Sequence, residues 1–79
     1  MSHVPGLLKA IRIIGSQRAL ANKLNTDQAK INYYVVKAKK IPYDTVLEIE
    51  LLTGGLVTRY ELAPDKKELN DSITMYLRD

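Results

Sequence analysis

Gln28, Ala29, Asn32 and Tyr33 carry the types and spacing that suggest recognition chemistry in this 79-residue chain. At about 100° per residue, Gln28, Asn32, Val36, Ala29 and Tyr33 share one helical arc of roughly 140°. The arc is small, polar and mostly uncharged, whereas plain solvation would favour Glu and Lys. A side-chain amide offers a donor and an acceptor together, which matches the exposed edge of adenine in the major groove. Gln28 is expected to pair with adenine and Asn32 to read the adjacent base. Ala29 is small enough to meet a thymine methyl, and Tyr33 can donate to a phosphate or pack on a sugar.

Catalytic constellations are missing. The chain has no Cys, one His near its start and no Gly-rich phosphate loop. Glu48 and Glu50 are two residues apart and would not share a helix face. Gly54-Gly55 reads as a turn. An enzyme is therefore not expected, and neither a metal nor a cofactor is, because convergent acid, base, nucleophile or ligand groups are absent. His3 is expected to be a solvated residue rather than a ligand.

The elements that would hold the arc follow from periodicity and caps. Val4, Leu7, Leu8, Ile11 and Ile14 recur at helical spacing, predicting a first helix over 5–14 that Gly15 ends. Ser16 suits the N-cap of a second helix over 17–23, with Leu20, Ala21 and Leu24 inward. Asn25 takes the turn, where a positive φ is needed. Asp27 caps a third helix over 28–36, whose inner arc is Ile31, Tyr34, Val35 and Ala38. Tyr34 is thus expected in the core rather than at the surface.

Ile41-Pro42 opens a fourth helix to Leu52. Apolar residues point in nearly every direction from it, so it is expected to be the most buried helix. Glu50 lies in its apolar arc and needs either a surface position or a partner, for which Arg59 is the candidate. Thr58 and Glu61 have the spacing of a capping box, placing a short fifth helix over 59–62. Beyond Pro64, Leu69, Ile73, Tyr76 and Leu77 recur at helical spacing. That tail is either a helix, one that packs on a partner, or a short frayed end.

Charge is divided along the chain. Residues 1–42 carry eight basic residues against Asp27 alone, a balance of +7, and residues 43–79 carry four against eight, a balance of −4. A basic half fused to an acidic one suggests a polyanion-binding face with a solvated back. Arg18, Lys23, Lys30, Lys37, Lys39 and Lys40 are candidates for phosphate attraction, and at most a few of the six would touch phosphate. Gln17, at the start of the second helix, is a further phosphate donor. The first helix has only two basic residues on its polar side, too few for a strong membrane-surface anchor.

Helices two and three, with their tight turn, have the layout of a helix-turn-helix. Gly15-Ser16-Gln17, Ala19-Leu20-Ala21, then Gln28-Ala29 and Ile31 resemble the helix-turn-helix of lambda-type Cro and repressor domains. Ile41-Pro42, Glu50 and Thr53-Gly54-Gly55-Leu56-Val57-Thr58-Arg59-Tyr60-Glu61-Leu62 are similar to the YdaS-type putative antitoxins of that superfamily. The resemblance covers about residues 7–65. Asn25 stands where the family has Gly, Thr26 where it has an apolar residue and Asp27 where Ser is common. Tyr34 stands where Trp is frequent, and Ala63 where Arg is. The resemblance implies an all-α, compact five-helix lambda-repressor-like DNA-binding domain, often dimeric, in phage lysogeny control or antitoxin-like regulation.

The resulting expectation is one helix-turn-helix domain over residues 1–63 and a C-terminal tail, helical or not, over 64–79. It would be a sequence-specific transcriptional regulator that occupies double-stranded operator DNA as a homodimer, on half-sites about 34 Å apart. The alternative is an antitoxin-type protein that neutralises a toxin partner and uses DNA binding for autoregulation. No apolar run approaches membrane-spanning length, and the start lacks the order of a secretory signal, so the expected location is cytoplasmic and nucleoid-associated.

Overall fold

Side-chain capping sets where three of the six helices begin. The computed structural model describes residues 2–77, and six helices lie among them. They are α1 (Val4–Ile14), α2 (Gln17–Lys23), α3 (Gln28–Val36), α4 (Tyr43–Leu52), α5 (Arg59–Leu62) and α6 (Lys67–Leu77). Ser16 Oγ accepts from the Ala19 N–H at 3.0 Å, and Asp27 Oδ1 accepts from the Lys30 N–H at 2.9 Å. Each bond satisfies one of the amide donors that a helix start leaves unpaired. At α5 both halves of the capping box form, Thr58 receiving the Glu61 N–H and Glu61 receiving the Thr58 N–H.

The turn between α2 and α3 is closed by backbone bonds. Asn25 N–H donates to Asn22 O at 3.2 Å and Thr26 N–H to Ala21 O at 2.9 Å, with Asn25 at φ +58. This is the two-bond cap that ends a helix through one left-handed residue, and it redirects the chain without a glycine. α4 ends the same way through Gly54, at φ +63.

Leu20 and Ala21 of α2 are buried with Ile31 and Tyr34 of α3, so each helix presents its inner face to the core. Leu7 and Ala10 of α1 lie beneath them, and Val46, Ile49, Val57 and Leu62 complete the core. Burial of each such aliphatic side chain contributes about 1.5–3 kcal/mol. α1 and α5 approach closely at Gly6, where an added Cβ would come within 2.9 Å of Glu61 Cβ.

Two expectations are corrected here. α4 is not buried all round: only Val46 and Ile49 are, while Leu51 is 81% exposed. One side of α4 meets the core and the other reaches the surface, so apolarity in every direction marked an outward apolar face. His3 is not solvated either. It is 4% exposed, and its Nε2–H donates to the Tyr34 carbonyl at 2.7 Å. That carbonyl lies in the last turn of α3, which has no partner of its own within the helix.

Glu50 has the partner expected of it. Its Oε2 receives Arg59 Nη1 at 3.0 Å and the Arg59 backbone N–H at 3.2 Å. The tail is a helix, and polar bonds fasten it to the body. Asn70 is fully buried, taking the Tyr43 hydroxyl at 2.7 Å and donating to Ala63 O at 2.9 Å. Tyr60 OH donates to Asp71 Oδ1 at 2.8 Å and lies 3.0 Å from Thr74 Oγ1. The side chain of Leu77, and residues Met1, Arg78 and Asp79, lie outside the described part.

Candidate nucleic-acid interface

The third helix presents two faces because its inner one is fixed by packing. Ile31 and Tyr34 are buried and Val35 is half-buried. This anchoring turns Gln28, Ala29, Asn32, Tyr33 and Val36 outward, and all five are exposed. Tyr33 is 51% and Val36 65% exposed. The Tyr33 ring leans on Tyr34, with centroids 6.1 Å apart at a tilt of 53°. Such a tilted aromatic pair limits where the Tyr33 hydroxyl points. The N-cap bond of Asp27, the Asn25 turn and the His3 bond hold α3 at its start and in its last turn.

Beside α3 runs an open groove lined by Lys30, Tyr33, Lys37, Lys39 and Lys40, with Tyr34 and Pro42 at its floor and edge. The structure therefore gathers four of the six candidate phosphate residues on one side of α3. Arg18 and Lys23 are exposed on α2, and Gln17 is half-buried at its start, outside this groove. Lys9 bonds Glu61 at 3.3 Å. Arg12, Arg18, Lys23, Lys30, Lys37, Lys39 and Lys40 have no carboxylate partner among the described residues. Asp27, the one acid in this half, faces the α3 backbone. The outcome is a polar face flanked by uncompensated positive charge, which attracts a polyanion and weakens that attraction as salt rises.

The C-terminal half differs. Arg59 is paired with Glu50 and Lys67 with Asp71 at 3.1 Å. The Thr58 backbone N–H, assisted by Lys9, holds the Glu61 carboxyl below its ordinary range against the opposing effect of burial. Burial pushes the Tyr43 hydroxyl above its usual value of 10.0. Among the described residues, no group of three or more His, Cys, Asp or Glu could hold a metal ion. No helix there is long and apolar enough to cross a membrane.

His3 is the residue that sequence reasoning missed. It steadies α3 through a backbone carbonyl 31 positions away. Its place outside any apolar repeat left no signal beyond its being the lone His.

A family model described as bacterial toxin YdaS matches residues 7–69, from within α1 to the first turn of α6. No curated protein and no solved structure matches the chain.

Proposed function

We propose that this chain, which belongs to the YdaS family, is a sequence-specific DNA-binding transcriptional regulator of the Cro and repressor type. The observation that carries the reading is the outward face of α3. Gln28, Ala29 and Asn32 are exposed, small or amide-bearing, and flanked by cations without carboxylate partners. In this reading α2 and α3 form the helix-turn-helix. α3 enters the major groove, where Gln28 pairs with adenine and Asn32 reads the next base, with Ala29 against a thymine methyl. Tyr33 reaches the sugar–phosphate edge. Lys30, Lys37, Lys39 and Lys40 follow one phosphate strand, and Gln17, Arg18 and Lys23 approach the backbone from α2. The protein needs no cofactor and carries out no reaction. It works in the cytoplasm on the nucleoid.

Selection of bound duplexes from a random-sequence library tests this directly. Enrichment of a short motif is expected, and Gln28→Ala should relax one position of it. Recovery of unenriched sequences, with binding that ignores salt, would contradict the reading.

The family description supports a second reading, in which the chain works within a toxin–antitoxin pair and uses DNA binding for autoregulation. Induced expression separates the two. Growth arrest that survives the Gln28→Ala/Asn32→Ala double change favours the second reading, and arrest abolished by it favours the first.

A further inference from the structure

The end of α3 leaves over one backbone group that the helix does not use. In a continuing helix the Ala38 N–H would donate to Tyr34 O. Instead the Lys37 and Ala38 N–H groups both donate to Tyr33 O, each at 2.9 Å, and the Tyr34 carbonyl is left without a helical partner. His3 supplies one from outside, at 2.7 Å and away from water. The imidazole is itself held in place. His3 O accepts the Leu7 N–H at 3.0 Å, Ser2 Oγ accepts the Val4 N–H at 3.0 Å, and Leu7 is fully buried. The bond therefore ties the start of α1, which the core fixes, to the last turn of α3.

Beyond α3 the chain is next anchored at Ile41, which is 4% exposed. The short span between carries Lys37, Lys39 and Lys40, three of the lysines that line the groove, and all three are exposed. We propose that His3 is a positioning residue for phosphate contact: by fixing where α3 ends, it sets how Lys37, Lys39 and Lys40 are presented. The inference rests on the reading of that groove as the phosphate side of the interface, and not on which bases are read. It separates two tasks along α3. Gln28, Ala29 and Asn32 lie in its first turns, held by the Asp27 cap and by buried Ile31. The lysines follow its far end, held by His3. A buried carbonyl that loses its partner is costly, so without the imidazole the last turn opens toward water. Helices fray from their ends, and the span over 37–40 loosens before the first turns do.

Two measurements on the full chain test this: amide exchange without DNA, and a salt series with a selected and a scrambled duplex. His3→Ala should lower protection of the Lys37 and Ala38 amides by about two- to tenfold, the range that one net hydrogen bond supplies, and leave the Lys30 amide unchanged. It should weaken both duplexes by the same factor, lower the slope of log affinity against log salt by about 1, and keep the preference between them. His3→Gln, whose amide can donate to the same carbonyl, should recover most of the slope. Tyr60→Phe removes hydrogen bonds to α6 instead, and should leave the slope as it is. In a chain already carrying Lys37→Ala, Lys39→Ala and Lys40→Ala, His3→Ala should remove no further slope. Unchanged exchange at Lys37 and Ala38, an unchanged slope, a slope lost equally in Tyr60→Phe, or His3→Gln no better than His3→Ala would overturn the proposal. Native binding that depends on salt without sequence preference would remove base reading by α3 and leave this inference standing. A native chain that binds no duplex would overturn both.

Discussion

The outward faces of α3 and of α4 with α6 are both exposed, and they differ in almost everything else. The α3 face carries amides, a small Ala and a tilted Tyr among cations that have no carboxylate partner among the described residues. The α4–α6 face carries Leu47, Leu51, Ile73 and Tyr76, and the one charge in its groove is compensated. Exposure alone therefore does not identify a binding surface. What separates the two is whether the charge around the face is left open, which invites a polyanion, or closed, which invites apolar burial.

The largest effect should come from the ion pair beneath the apolar face. Arg59→Met leaves the Glu50 carboxylate partly buried without its guanidinium partner. The expected loss is about 2–4 kcal/mol of unfolding free energy by denaturant titration, toward the low side of the range for buried pairs because Glu50 keeps some water contact. The DNA preference of the folded fraction should not change. A shift in preference would mean that the two faces are not independent.

Next is the polar face itself. Gln28→Ala should weaken binding to the preferred duplex by about 1–3 kcal/mol. Stability should move by no more than about 0.5 kcal/mol, as for an exposed site. Equal losses on preferred and scrambled duplexes would remove Gln28 from base reading.

Asn25→Ala examines the joint that aims α3. Ala tolerates a φ of +58 less well than Asn, so a stability loss of about 1 kcal/mol is expected in thermal unfolding. Asn25→Gly should be close to neutral.

The smallest effect is a pH dependence confined to α6. Burial raises the Tyr43 pKa above its ordinary 10.0, so the folded state favours the neutral hydroxyl that donates to Asn70. This contribution is complete below the unfolded value and is lost as pH rises through the raised folded one. Alkaline titration of α6 amide exchange should show protection falling above pH 10.0 in the native chain, with Tyr43→Phe flattening that dependence.

Much of this architecture was legible because it is local. Ser16, Asp27 and the Thr58–Glu61 pair act within one helical turn, so residue type and spacing suffice to place them. Glu50 could be matched to Arg59 because a carboxylate in an apolar arc has few stable arrangements. The α3 wheel separated Ile31 and Tyr34 from Gln28 and Asn32 because a helix fixed on one side must show the other. His3 was illegible because its bond reaches a backbone carbonyl, which carries no residue identity. Leu51 misled for a different reason: periodicity reports where apolar side chains point, and an outward apolar face gives the same pattern as a core.

The central claim is that the α3 face reads sequence while the surrounding cations supply attraction. The most direct measurement is fluorescence anisotropy on the selected duplex and a scrambled one across a salt series, for the native chain, Gln28→Ala/Asn32→Ala and Lys37→Ala. Native binding should prefer the selected duplex, and log affinity should fall linearly with log salt. The double change should erase the preference and keep the slope, whereas Lys37→Ala should keep the preference and reduce the slope by about 1. Indifference to salt, or a preference that survives loss of both amides, would contradict the account.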